Sequence, residues 1–350
     1  MASWHSCLAR VVQRLVLGGL PAPVTRSPWV AAVCGACAPV LRVALHSDSV
    51  ELGDAAHVLT QRTITAGVAE SSREALLTSL AATPDARAAF RSAGGPGAAA
   101  WMRLPTRPAH HLTDKQFSLA AHFRMHLDVP GCCGTCQHRA KNGTLCGAVL
   151  DRKGVHARSC PVGGWRMRKH DSCCGVLNNW LEEMGCYVEV EVVLPPASND
   201  LDEPRMDLIV HAPGIKGPVR IDFTAVSALS REALRRGSAD REEVTANLGA
   251  ARKRQKYANI AVTPFVLEES GRMGADALGL VRKIAPRELG PRAEALNDLY
   301  QGLAATLQRA SANSAIAAMG GRPPPSGGGA GGASGQPGPP MPHSHMVEAT

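Results

Sequence analysis

Two groups of residues in this chain carry chemistry in their types and spacing. The first is Cys146-Gly147, Asp151, Gly154, His156-Ala157 and Cys160, followed at once by Gly163-Gly164-Trp165-Arg166-Met167-Arg168-Lys169-His170. Thiolate and imidazole ligands are what a tetrahedral zinc ion takes, and a site closed by protein ligands alone is structural. His156 and Cys160 stand one helical turn apart, so both can face one side. Cys136 and Cys146 are the expected other pair. Cys133 with Cys136 is the competing choice, and Cys132 is a spare. The Cys136 to Cys146 gap exceeds the usual spacing of about two to four residues, so a cysteine-rich loop without metal stays open as the alternative.

The second group is a pair of acids inside apolar runs: Asp207 in Arg205-Met206-Asp207-Leu208-Ile209-Val210 and Asp222 in Val219-Arg220-Ile221-Asp222-Phe223-Thr224-Ala225-Val226. A carboxylate in the middle of an apolar strand is costly to bury unless it is paired or holds a cation. Two on successive strands point to a shared Mg²⁺ or Mn²⁺, held through oxygens and able to activate water against a phosphodiester. Local pairing with Arg205 or Arg220 is the plainer explanation. Thr224, two residues after Asp222, stands where a lysine would be convenient. Lys253 and Lys256, three residues apart on a later helical segment, could supply the cation instead, although Arg252-Lys253-Arg254 with Lys256 also fits a solvated, phosphate-facing surface.

These groups need elements to position them. Helical spacing and capping residues predict helices over Thr113–Leu127, Asp171–Glu183, Asp240–Tyr257 and Gly274–Ile284. β-Type runs over Tyr187–Leu194, Met206–His211, Val219–Val226 and Ile260–Leu267 predict strands. The order from Asp171 is α, β, β, β, α, β, α. The expected organisation is a helical Ala-rich region over 1–90, a linker and helix over 91–128, the cysteine segment and basic strip over 129–170, an α/β domain over 171–310, and a disordered Gly/Pro/Ser-rich tail over 311–350.

Composition narrows the class. The chain has 350 residues, 45% of them hydrophobic, enough for a buried core. A formal charge of +8 favours an anionic partner. Between Gln137 and His170 the sequence holds eight Lys or Arg against one acid, Asp151. Eleven cysteines without a secretory signal fit metal binding in a reducing compartment better than disulfides. No apolar run approaches the roughly 20 residues needed to span a bilayer. No acid occurs from Met1 to Ser47, which permits an organelle transit segment. Cys34-Gly35-Ala36-Cys37 has redox or zinc spacing but no partner ligands close by.

The ordered motifs resemble the C-terminal region of non-LTR retrotransposon polyproteins that carry a restriction-like endonuclease. The resemblance covers roughly Ala88 to Arg309 and rests on the Cys-Gly, Asp, Gly, His-Ala, Cys, Gly-Gly and Lys169-His170 pattern. Arg205-Met206-Asp207, Asp222-Phe223-Thr224, Lys253 with Tyr257, and Phe265 through Glu268, Gly271 and Gly274 extend it. It implies the PD-(D/E)XK fold, an αβββαβ core preceded by a zinc knuckle. It also singles out Lys253 over Lys256, and implies Glu191 as an accessory acid. Met206 replaces the family's proline, the first cysteine pair is stretched, and reverse transcriptase motifs are missing.

The expectation is therefore a Mg²⁺-dependent (or Mn²⁺-dependent) DNA endonuclease, with RNA as the other substrate to consider. Asp207, Asp222, Lys253 and Glu191 would form its site, Cys136, Cys146, His156 and Cys160 would hold Zn²⁺, and Arg158, Arg166, Arg168, Lys169 and His170 would contact nucleic acid. The nucleus is the expected compartment, with an organelle as the alternative, and no membrane partner is expected. A nuclease-fold remnant that only binds nucleic acid, or an inert relic, are the rival expectations.

Overall fold

The computed structural model describes residues 61–194 and 204–324. The basic N-terminal segment, Cys34 and Cys37, and the tail from 325 onward lie outside the described residues. The chain divides into two compact units, Met1–Arg87 and Ala88–Thr350. In the first the described helix is α1, Gln61–Ser79. Helix α2, Pro84–Ser92, spans the division. The second unit contains every candidate site residue. Among the described residues no helix is long and apolar enough to cross a membrane.

Helix α3, Asp114–Arg124, begins where the sequence signals it. Thr113 accepts from the Gln116 backbone N–H while the Gln116 side chain reaches back to the Thr113 N–H, so a capping box satisfies two donors that the first turn would leave orphaned. The short helix α4, Val155–Ser159, is followed by α5, Trp165–Glu183. Helix α5 starts earlier than the expected Asp171. Gly163 and Gly164, at φ 87° and 74°, turn the chain through left-handed conformations open to glycine, so the basic strip becomes the first turns of the helix.

Strands β1, Tyr187–Val193, β2, Arg205–His211, and β3, Val219–Val226, pair antiparallel in succession. After α6, Arg231–Arg235, and α7, Val244–Lys256, strand β4, Thr263–Glu268, returns parallel to β3. A parallel return needs a crossover, and α7 lies within it. The described residues thus form a mixed four-stranded sheet in the order β1-β2-β3-β4 within an α/β fold.

Helix α5 covers one face of the sheet, where Leu177, Trp180 and Leu181 join Leu208, Ile221, Phe223 and Phe265 in the main core. Helix α7 covers the other, with Ala246 and Ala250 against Val266. Helices α8, Ala275–Ile284, and α9, Leu289–Ala318, complete the unit. Residues 311–318, expected in the tail, are helical, because Ala312, Ala315, Ile316 and Ala318 bury against the cysteine-bearing segment. The α/β unit and that segment therefore share one long helix, since Leu299, Leu303 and Leu307 of α9 also belong to the main core.

Candidate functional site

Leu208 pairs with Ile221 in the β2–β3 register, so Asp207 stands across from Asp222 on the next rung. The ladder stops at Leu208, and the freed Phe223 N–H donates instead to Asp207 Oδ2 at 2.6 Å. Ile221 and Phe223 point into the α5-side core; alternation along the strand turns Asp222 toward α7. There Lys253 Nζ donates to Asp222 Oδ1 at 2.7 Å. From the α5 side, His170 Nε2 lies 3.1 Å from Asp207 Oδ2. Neither acid is satisfied by the arginine nearest to it in sequence, and Arg205 pairs with Glu191 at 3.1 Å. These groups line one cleft of about 1100 Å³, together with Arg166 and Lys256.

The two carboxylates behave differently because only one can keep its charge cheaply. Burial pushes Asp207 up, but the His170 hydrogen bond, the neighbouring Asp222 carboxyl and the Phe223 N–H more than offset it, and its carboxyl sits below the ordinary range. Burial also pushes Asp222 up; Lys253 opposes this, Asp207 reinforces it, and the net shift is upward. The hydrogen bond to Asp207, followed by the one to Cys174, holds His170 up at about 11. Asp222 Oδ2 is buried and has no hydrogen-bond partner among the described residues. Such an orphan oxygen beside a second carboxylate is chemically suited to a divalent cation.

Glu191 lies across from Asp207 at a position the β1–β2 ladder skips between its Val190–Leu208 and Val192–Met206 pairs. Its φ of 56° is unusual for a residue with a side chain. It lines the cleft, but its carboxylate is tied to Arg205. Lys256 bonds the Tyr257 hydroxyl at 2.7 Å, and that hydroxyl donates to the Arg205 carbonyl at 2.8 Å. Of the two lysines, Lys253 reaches the acids.

The cysteine segment folds back as a hairpin. Thr135 bridges Val149 and Arg139 bridges Leu145, with Cys136 N–H donating to the Ala148 carbonyl and Cys146 N–H to the His138 carbonyl. The long gap between Cys136 and Cys146 is thereby closed by strand pairing. Asp151 fixes the next turn by accepting from Val155 N–H at 2.9 Å and His156 N–H at 2.7 Å. The ligand atoms of Cys136, Cys146, His156 and Cys160 lie within 4.8 Å of one another, a set that could hold a metal ion. Cys160 Sγ is 3.5 Å from Cys146 Sγ and 3.8 Å from Cys136 Sγ. Burial pushes the Cys160 thiol up to about 12, a penalty that a bound cation would relieve. Cys132 instead donates to the Asp151 carbonyl, and Cys133 is exposed.

The basic residues divide by orientation. Arg166 and Arg168 are exposed, with Arg168 over the Trp165 ring at 4.7 Å. Arg158 and Lys169 are buried and turn inward to Glu269, Lys169 at 3.5 Å and Arg158 at 3.7 Å. Their expected role at a nucleic-acid surface does not fit that burial, because a phosphate could reach them only by displacing Glu269. His170 is half-buried in the cleft and faces Asp207. Sequence reasoning missed Glu269 and Cys174 altogether. The spacing of His170 and Cys174, one helical turn apart, was the signal for the second. No protein-family model matches the chain, and no curated protein matches it.

Proposed function

We propose that the chain is a metal-dependent DNA endonuclease of the PD-(D/E)XK kind, derived from the C-terminal region of a non-LTR retrotransposon polyprotein. The observation that carries this reading is the meeting of Asp207, Asp222 and Lys253 in one cleft, with the Asp222 Oδ2 atom left without a hydrogen-bond partner among the described residues. The order α5, β1, β2, β3, α6, α7, β4, with only the one-turn α6 added to the αβββαβ core, supports it. Asp207 and Asp222 would hold Mg²⁺ or Mn²⁺, which supplies charge neutralisation at phosphate and a more acidic bound water. Lys253 keeps a cation at the acids and steadies the anionic phosphate. Arg166, at the cleft, and Arg168, on the exposed face of α5, give the polyanion a place to dock. Cys136, Cys146, His156 and Cys160 would form a zinc knuckle that holds α4 and the start of α5 in place.

One observation favours a binding-only remnant as the second reading: each acid already has a basic partner, Asp207 in His170 and Asp222 in Lys253. The two readings separate on supercoiled plasmid. With Mg²⁺ the full chain is expected to nick it, and Asp222→Ala is expected to lose that activity while remaining folded. A chain that shifts plasmid on a gel but leaves it intact with Mg²⁺ or Mn²⁺ belongs to the second reading.

A further inference from the structure

His170 and Cys174 lie one turn apart on α5 and face Asp207 of β2. The nearest ring nitrogen, sulfur and carboxylate oxygen of the three lie within 4.8 Å of one another. His170 Nε2 is 3.1 Å from Asp207 Oδ2 and 3.9 Å from Cys174 Sγ. A tetrahedral ion with bonds of about 2.0–2.3 Å to nitrogen, oxygen and sulfur separates its ligands by roughly 3.3–3.8 Å, close to what these atoms show. The other ring nitrogen, Nδ1, is 3.2 Å from Asp171 Oδ1 and 3.8 Å from Cys174 Sγ, so the Cys174 side chain must turn toward the Nε2 side to share an ion with it. A carboxylate on the far side of the imidazole is the usual means of orienting a metal-binding histidine. The three groups come from two elements and leave the side toward the cleft open, so a fourth position is accessible.

We propose that His170, Cys174 and Asp207 form a second transition-metal site, which takes Zn²⁺ in preference to Mg²⁺, and that filling it withdraws Asp207 from the carboxylate pair and so inhibits the cleft. Imidazole and thiolate select a borderline-soft ion over Mg²⁺, which binds oxygen ligands and keeps its waters. On binding, the Cys174 thiol and the His170 imidazolium, which Asp207 keeps protonated, each lose a proton to solvent. The inhibitory half of this inference rests on the nuclease reading; the binding half does not.

The test is metal content of the full chain after equilibration in a Zn²⁺ buffer and removal of free metal, compared among the parent, Cys174→Ser, Cys146→Ser and the double variant. Each single variant is expected to carry one equivalent fewer than the parent, and the double variant two fewer. Asp207→Asn, which keeps the side-chain shape, is expected to lose the same equivalent as Cys174→Ser. If Cys174→Ser and Asp207→Asn, both folded by circular dichroism, retain the parent's zinc content, the site does not exist. In Mg²⁺ nicking reactions, the Zn²⁺ concentration giving half inhibition is expected to rise at least about tenfold in Cys174→Ser, measured against that variant's own zinc-free rate. An unchanged value overturns the inhibitory role. If Cys174→Ser carries one zinc equivalent fewer but the parent never nicks plasmid, the nuclease reading fails and the metal site stands.

Discussion

Lys253 Nζ and Asp222 Oδ1 stand 2.7 Å apart although 31 residues separate them in the chain. The contact joins the crossover helix α7 to the central strand β3, and puts an ammonium group beside a carboxylate that burial pushes up. Lys253→Met removes that charge with little change in bulk. The nicking rate is expected to fall about 10²- to 10⁴-fold, the range for loss of a group that assists proton or charge movement at the reacting centre. A variant that nicks within threefold of the parent would place Lys253 outside the reaction.

Gly249 lies one turn before Lys253 on α7 and lets that helix approach the sheet. A Cβ there would meet Val266 Cγ1 at 3.0 Å and Val226 Cγ1 at 3.1 Å. Alanine favours a helix over glycine by up to about 1 kcal/mol, but overpacking costs roughly 1–3 kcal/mol. Gly249→Ala is therefore expected to lower stability by up to about 2 kcal/mol in urea denaturation. Because the helix shifts as a unit, nicking is expected to weaken well below the melting temperature. Higher stability with unchanged nicking would show that both valines yield without moving α7.

Glu269 holds Lys169 and Arg158 in the interior between the cysteine hairpin and α5. Burial alone would raise its carboxyl, but the two cations more than offset burial, and it sits below the ordinary glutamate value. A carboxyl lowered by folding contributes stability above its unfolded value, about 4.3, and loses it as pH falls through the lower folded value. Glu269→Gln is expected to cost about 3 kcal/mol at pH 7, the lower end for breaking a buried pair. The difference from the parent should shrink as the pH is lowered below about 4. A deficit that is the same at acid and neutral pH would mean that charge pairing is not its source.

Arg166 and Arg168 are the exposed cations of the strip. Replacing both with alanine is expected to reduce the slope of log affinity against log salt by about two for duplex DNA, close to one per lost phosphate contact. Lys169→Ala should act through stability instead, because the side chain is buried. An unchanged salt slope in the double variant would remove this face of α5 from the DNA path.

Local pattern was enough to read the four strands and helices α5, α7 and α8 from the sequence, because each is written in spacing a few residues long. The runs around Asp207 and Asp222 gave β2 and β3, and Thr113 with Gln116 marked the start of α3. Helix α5 starts before the expected Asp171, because the turn through Gly163 and Gly164 lets the basic strip from Trp165 join the helix. Helix α9 was not read at all: no helix was expected over 289–318, where Ala312, Ala315 and Ile316 are buried because the cysteine hairpin packs on them.

Residue types and order along the chain determined which side chains were available: two acids in apolar strands, a nearby lysine, and a set of thiols and imidazoles. Tertiary structure decided their partners. The β2–β3 register set Asp207 opposite Asp222, the crossover carried Lys253 to the latter, and the hairpin closed the gap between Cys136 and Cys146. It also turned Lys169 inward and His170 toward Asp207. The physical reason is that a charge's direction along a helix is settled by what packs beside it, and for α5 those neighbours, Glu269 and Asp207, lie far along the chain.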